Sequence, residues 1–389
     1  MFSQRNFRWI ITGCLCFLLS CEESNKGAGS ADNNKNKGNM QEGKDYVLLK
    51  RFRVEDRQGF NQPVEVSSFL LPANWKVNAG VQWNATNKCI AEIVQAGVQA
   101  TSPDNAFELF FLPVTQFDWS DDPVYLDAMQ RGFNMHSCSI AQPLDAAGYI
   151  SKGLASAVNA KVKSTSIISA LQAAMDQGAR QMTNMARQAG NNAYTHRGSA
   201  AEGVLQFSDG KEGIALCTIM QTITTMPGTQ GGMSNTYQCY VSMRVVMKYE
   251  AGKEEMARKL LSTFMGSGRI NPQWSSAVQS VLSAIGRNAQ IELGKQIEIT
   301  RQAQEEISNG IIRNWEKNSN KSNSDDFQQQ FSQYLRGVDS WTDEGGNKVE
   351  LTNGYTNAWS KGDGTYILSN NPAFDPSVEF KEDWKRLNR

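Results

Sequence analysis

The sequence has little of what catalytic and metal sites are usually built from. Only two histidines occur, His136 and His196. They are far apart, and neither falls in a zinc-holding spacing such as H-E-x-x-H or lies near a C-x-x-C pair. There is no G-x-S-x-G nucleophile elbow and no phosphate loop ending in Gly-Lys-Ser/Thr. Gly228-Thr229-Gln230-Gly231-Gly232 has the glycines but lacks the lysine, and reads as a hairpin loop. A charge imbalance is also missing: 39 basic and 39 acidic side chains give a formal net charge of zero. With no single-sign block, nucleic acid is excluded as an expected partner. Finally there is no long apolar run. The first, Trp9 to Leu19, is about half of the roughly 20 residues a membrane-spanning helix needs. No metal or cofactor is expected, and no reaction is identified.

What is present begins at the N-terminus. Arg5 and Arg8 precede the apolar run, and a polar tract opens at Glu22-Glu23, which is the order of a secretory signal. The run ends in Leu18-Leu19-Ser20-Cys21, which resembles the lipobox of bacterial lipoproteins. That resemblance implies removal of residues 1–20, a diacylglycerol on the Cys21 thiol and an acyl chain on its freed amine. Ile11-Thr12-Gly13-Cys14 fits the same letters, but cutting there leaves about five apolar residues where roughly 7–15 are expected. An ordinary cleaved signal is the other reading, and it wants a small residue where Leu18 stands. Each buried methylene contributes about 0.8 kcal/mol, so several acyl chains make an anchor that is effectively permanent. The resemblance implies a bacterial cell envelope location. Glu22, in place of the aspartate that retains such proteins at the inner membrane, points to the outer membrane, on its periplasmic or surface face. Residues 21–45 are nearly devoid of aliphatic side chains and form a disordered tether, with a reach of roughly 25 Å.

The folded part is expected to be α+β: an antiparallel sheet body with packed helices over 46–267, with a possible break near 150. A long helix follows over 268–318, then a small aromatic-rich C-terminal module over 325–389. Strands are expected over Val64 to Leu71, Trp75 to Trp83, Cys89 to Ala100 and Ala106 to Val114, with Ser102-Pro103-Asp104-Asn105 as the turn between the last two. Leu70-Leu71-Pro72-Ala73-Asn74-Trp75, with that turn and Leu112-Pro113 downstream, resembles the start of a PsbP/Mog1-type domain. This resemblance implies a fold and no activity. Tyr125 to Phe133, Ser166 to Gln188 and Gly252 to Phe264 read as helices. Asp209-Gly210 suits a type I′ turn between two further strands, and Tyr237 to Tyr249 supplies a third. Asn271-Pro272 is a helix start, with Asn as cap and Pro at the first position. Apolar residues at spacings of three and four follow it to Trp315.

Cys89, Cys138, Cys217 and Cys239 lie beyond the signal, and an even number in an exported chain points to disulfides. Of the three connectivities, Cys89 with Cys138 and Cys217 with Cys239 is preferred; four buried thiols are the alternative. Met135-His136-Ser137-Cys138 sets an imidazole near a thiol. His196-Arg197 with Glu202 would suit proton transfer or an anion, and Asp118, Asp121 and Asp122 form an acidic turn. Trp341, Tyr355, Trp359 and Tyr366 are candidate ligand-facing aromatics, set against the ordinary use of such rings in closing a small core. The expectation is a lipid-anchored, non-enzymatic binding or scaffolding protein, with a glycan, peptidoglycan or an envelope protein as partner besides the membrane. The alternative is an envelope hydrolase or lyase using His196, Glu202 or Cys138.

Overall fold

The structure, a computed structural model, describes residues 40–389 except 85, 88, 134–136 and 288–337. Signal, Cys21, residues 21–39 of the tether, His136 and most of the 268–318 helix lie outside the described residues; residues 40–45, expected as the end of the disordered tether, are instead a turn in which the Gln41 amide donates to Asp45 and Met40 packs against the C-terminal aromatic cluster. The fold is α+β. β1 (Tyr46–Asp56) opens with four apolar residues and alternates charged with apolar ones from Arg51 to Glu55, so there its two faces meet different surroundings. Leu49 enters one core, while Val54 enters another with Phe69 and Leu71 of β2 (Val64–Pro72). The β1–β2 pairing is antiparallel, with Arg51 opposite Leu70 and Arg53 opposite Ser68.

The remaining strands are β3 (Lys76–Trp83), β4 (Val94–Thr101), β5 (Phe107–Phe111), β6 (Thr115–Ser120), β7 (Ser139–Ile140), β8 (Ala160–Ile167), β9 (Tyr194–Phe207), β10 (Glu212–Pro227), β11 (Met233–Tyr249), β12 (Arg269–Ile270), β13 (Val338–Thr342), β14 (Lys348–Thr352), β15 (Asn357–Ser360), β16 (Thr365–Ser369) and β17 (Lys385–Arg386). A large sheet runs β3-β4-β5-β11-β10-β9-β8, with β6 and β7 beside β11, and a six-stranded sheet runs β12-β2-β1-β16-β15-β17. β13 and β14 form a separate hairpin.

The α-helices among the described residues are α1 (Pro123–Gln130), α2 (Ala146–Tyr149), α3 (Ala155–Ala157), α4 (Ser169–Gln188), α5 (Glu254–Gly266), α6 (Pro272–Arg287) and α7 (Pro376–Phe380). α5 brings Leu260, Leu261 and Phe264 into the principal core with Phe69, Leu109 and Val245. Among the described residues no helix is long and apolar enough to cross a membrane.

The segment read as a C-terminal module shares its sheet with the N-terminal strand: Tyr46 to Lys50 of β1 pair with Ser369 to Thr365 of β16. Trp341 is 3 % exposed and packs with Leu49, Leu70 and Leu351. Trp359, 8 % exposed, packs with Ile367, Phe374 and Trp384. Both indoles are therefore core residues, and the expectation that they face a ligand is corrected.

Local signals act as their chemistry requires. The Asn271 carboxamide oxygen accepts from the Gln273 and Trp274 amides at 3.1 and 3.3 Å, capping α6. Asp104 accepts from the Ser102 hydroxyl and the Ala106 amide, closing the turn before β5. At Asp209-Gly210 only the glycine takes a left-handed conformation, φ +82°. The turn is thus not type I′, which needs two positive φ values. Asp56, fully buried, accepts from the indole N–H groups of Trp83 and Trp274, each at 2.9 Å, and from the Gly59 amide at 2.8 Å. A Cβ at Gly59 would lie 2.4 Å from the Trp83 ring, so that close approach requires glycine.

Cys89 and Cys138 are disulfide-bonded, tying the segment after β3 to β7 across 49 residues. Cys217 and Cys239 are buried thiols, which corrects their expected pairing. The reason is register: in the β10–β11 ladder Cys217 faces Arg244 and Cys239 faces Gln221. Four residues of strand, about 13 Å, separate the two positions. Closing a loop of about 49 residues lowers unfolded-chain entropy by the equivalent of about 4 kcal/mol, and measured values run about 2–4. Replacing both Cys89 and Cys138 by Ala is expected to cost about 2–4 kcal/mol in denaturant unfolding. An unchanged midpoint would show that the bridge constrains nothing.

Candidate functional site: a basic cavity on the six-stranded sheet

On the face of the six-stranded sheet that carries Leu49, polar residues replace apolar ones beyond Leu70. Arg269 of β12 lies opposite Ser68 of β2, and Ser68 lies opposite Arg53 of β1. Arg51, two residues along β1, points to the same side as Arg53 by strand alternation. Neighbouring strands are about 4.8 Å apart, so the bases of three arginines lie within roughly 10 Å on one face. They line a cavity of about 340 Å³, at the small end of the range for ligand sites. Its other walls are the turn after β13, through Asp343, Asn347 and Lys348, and the turn between β15 and β16, through Ser360, Asp363 and Tyr366.

Arg51 is the unusual group. Its Nη1 donates to the Ser267 carbonyl at 2.9 Å and lies 3.4 Å from the Ser68 hydroxyl. Nε and Nη2 are buried and have no hydrogen-bond acceptor. Burial first and the charge of Arg269 second bring its pKa down to about 10, against the opposing effects of Tyr366 and Glu65. Arg51 is cationic at neutral pH even so, and its charge is under-compensated. Gly364, at φ +89°, passes so close that a Cβ there would be 3.0 Å from the Arg51 Cβ. The chain reversal beside the guanidinium thus requires glycine.

The neighbouring carboxylates are mostly engaged. Glu65 pairs with Arg53 Nε at 3.3 Å, an arginine whose side chain is 66 % exposed. Asp343 is desolvated, yet hydrogen bonds from the Asn347 side chain and amide hold its carboxyl below the ordinary range. Asp363 accepts from the Thr365 amide at 2.9 Å. The cavity is polar, with cationic groups on the sheet and turn-bound carboxylates opposite.

Of the four candidate aromatics only Tyr366 lines the cavity, while Tyr355 is half-buried against the core that holds Trp341. The residues considered for catalysis lie elsewhere and are committed to structure. Cys138 is in the disulfide. Glu202 accepts bidentately from Arg258, at 2.9 and 3.1 Å, and this pairing raises the Arg258 pKa. His196 is held by Thr183, whose hydroxyl lies 3.3 Å from Nδ1 and accepts from the His196 amide at 2.9 Å. Burial lowers its pKa. Asp122 caps α1 through the Val124 and Tyr125 amides and holds the Gly228–Gly232 loop through Thr229. These bonds, the Thr229 amide first, bring its pKa down to about 2. Asp121 is bound to Asn235, and the acidic turn is accounted for as a splice between loops. Among the described residues no cluster of His, Cys, Asp and Glu is placed to hold a metal ion.

Sequence reasoning missed Arg51 as a site residue. The available signal was Leu49-x-Arg51-x-Arg53, which puts two cations on the same face as a core leucine.

Comparison with family models, with curated proteins and with solved structures finds no match.

Cys217 and Cys239 have their pKa values pushed up to about 12, in each case chiefly by burial. A thiol reacts as the thiolate. In the folded chain neither is expected to be alkylated by iodoacetamide near pH 8, and both should react after unfolding in guanidinium. Rapid labelling of either in the native protein would return it to the list of candidate nucleophiles.

Proposed function

We propose that this chain is a lipid-anchored, non-enzymatic binding protein of the bacterial cell envelope, and that its ligand site is the cavity lined by Arg51, Arg269 and Tyr366. The observation that carries the reading is the polar cavity itself, which gathers Arg51, Arg53 and Arg269 with Ser68, Asp363 and Tyr366. Binding is preferred to hydrolysis because Cys138, Glu202 and His196 each have a structural partner and none of them lines the cavity. The glycan-facing role once shared among four aromatics falls to Tyr366 alone. The anchor rests on Leu18-Leu19-Ser20-Cys21, and the polar stretch to residue 45 would hold the folded part off the bilayer.

Two measurements test this. Mass spectrometry of the N-terminal peptide from host membranes is expected to show a diacylated or triacylated peptide beginning at Cys21; an unmodified N-terminus, or lipid on Cys14, contradicts the anchor. Isolated in mild detergent, the chain is expected to carry a small molecule that is visible by native mass spectrometry and lost in an Arg51→Gln variant. A chain that carries none and binds none contradicts the binding role.

A further inference from the structure

We infer that an apolar groove on the large sheet, between the C-terminal half of α4 and β6, is the dock for residues 289–315 of this same chain, seated with their apolar stripe on Met182, Met185 and Tyr240. The inference is independent of the cavity and its ligand.

Strand register builds the groove. Gly198 of β9 lies opposite Met220 of β10, and Met220 lies opposite Tyr240 of β11, so the three share one face of the sheet. A Cβ at Gly198 would be 2.7 Å from the Met175 Cβ, which puts α4 over β9 on that face. The pairing of β8 with β9 ends at Ile167 and Ala201. Beyond it α4 takes over the free edge: the Gln172 side chain bonds the Gly198 carbonyl and the Ala200 amide, and the Thr183 hydroxyl accepts from the His196 amide. With that flank of the helix turned to the edge, the flank carrying Met182 and Met185 is turned inward, over β10 and β11. On the far side Tyr240 lies opposite Gln116 of β6. From β9 to β6 is three strand spacings, about 14 Å, enough for one helix of about 10–12 Å diameter.

The groove is apolar and open. Leu171 and Met175 of α4 are buried, yet Met182 and Met185, at the same helical period, are 42 % and 60 % exposed. Tyr240 on the floor and Tyr194 at its end, on the His196 side of β9, are each 38 % exposed. Apolar side chains gathered in this way mark a contact surface, and methionine adapts well to a partner.

The course of the chain names the occupant. α6 opens beside β2, where the Asn271 amide donates to the Val66 carbonyl, and runs past the turn Ile90–Glu92. Glu92 of that turn accepts from the Thr115 hydroxyl of β6 at 2.6 Å. Leu282 and Ile285, in the last turns of α6, pack against the same core as Met175 and Met220. The chain therefore leaves Arg287 at the side of the groove. It is next described at Val338 of β13, which packs on α5, and α5 ends a few residues before α6 begins. The return is about the length of α6, roughly 24 Å, which an extended chain covers in about seven residues. Residues 288–337 are far more than that. Ala289, Leu293, Ile297, Ile307, Ile311 and Trp315 continue the apolar period of α6, and such a segment, when helical, carries one apolar face to lay in a groove.

Hydrogen exchange on the full chain in mild detergent tests this, with light scattering to give its oligomeric state. In a monomer, the amides of residues 289–311 are expected to exchange at least about 10-fold more slowly than in an unstructured chain. A Met182→Asp, Met185→Asp variant, altered only at exposed positions, is expected to lose that protection while β10 and β11 keep theirs. In the reciprocal variant, Ile297→Ser with Ile307→Ser, peroxide is expected to oxidise Met182 and Met185 at least about 3-fold faster. Should the Asp variant not fold, the Ser variant decides.

Unprotected 289–311 amides in the unaltered chain overturn the inference, as does protection and methionine oxidation unchanged in both variants. A dimer that the Asp substitutions dissociate while residues 289–311 stay protected also overturns it, and assigns the groove to a second copy.

Discussion

The candidate site depends on one strand pairing, that of β1 with β2 on one side and β16 on the other. Leu49 faces Pro72 across one ladder and Tyr366 across the other, so two segments roughly 320 residues apart meet at the strand that carries Arg51. Closing so long a loop costs only about 5 kcal/mol beyond a constant, because the cost grows with the logarithm of length. Burial of Leu49, Leu70, Leu351 and Leu368 in one cluster, and of Trp359, Ile367 and Phe374 in the next, offsets it. A fully buried Leu or Phe contributes about 1.5–3 kcal/mol.

That closure explains why a guanidinium lies at this point. Along β1 the same face passes from Leu49, inside a core, to Arg53, mostly exposed, and Arg51 falls at the boundary. The hairpin turn Asp343–Asn347 and the glycine turn before β16 complete the walls there. Their carboxylates are held by their own loop amides, while Glu65 pairs with Arg53. The site is thus a product of topology, assembled from residues 51–68, 269 and 343–366, which no local segment contains. The binding role follows from that placement as a proposal.

Local features were legible in the sequence because their causes are local. Asn271-Pro272 caps a helix wherever the chain goes, and Ser102-Pro103-Asp104-Asn105 turns through its own side chains. Strand β8 was hidden because its Lys161-Val162-Lys163-Ser164-Thr165-Ser166 stretch is mostly exposed and lacks a strong apolar alternation. β6 was missed for a different reason: Thr115 to Ser120 mixes an aromatic pair with Asp118, which reads as a turn. The β1–β16 pairing leaves no trace in either strand's pattern, since register between distant segments is set by which faces must be covered. Aromatic residues share this ambiguity. Trp341 and Trp359 serve as core, and only Tyr366 reaches the cavity, although the three look alike as letters. Cys217 and Cys239 fall close in sequence, but the ladder sets them four residues out of step.

Closure of the sheet by the C-terminal strands is the claim on which the site rests, and hydrogen exchange on β1 measures it most directly. The amides of residues 46–50 are to be followed in the full chain and in a chain ending at residue 337. If β16 holds β1 in place, removing it strips protection from those amides by at least about 10-fold, while the amides of β10 and β11 in the large sheet keep theirs. Equal protection of residues 46–50 in both chains would mean that β1 is held without its C-terminal neighbour, and that the cavity is not built as described.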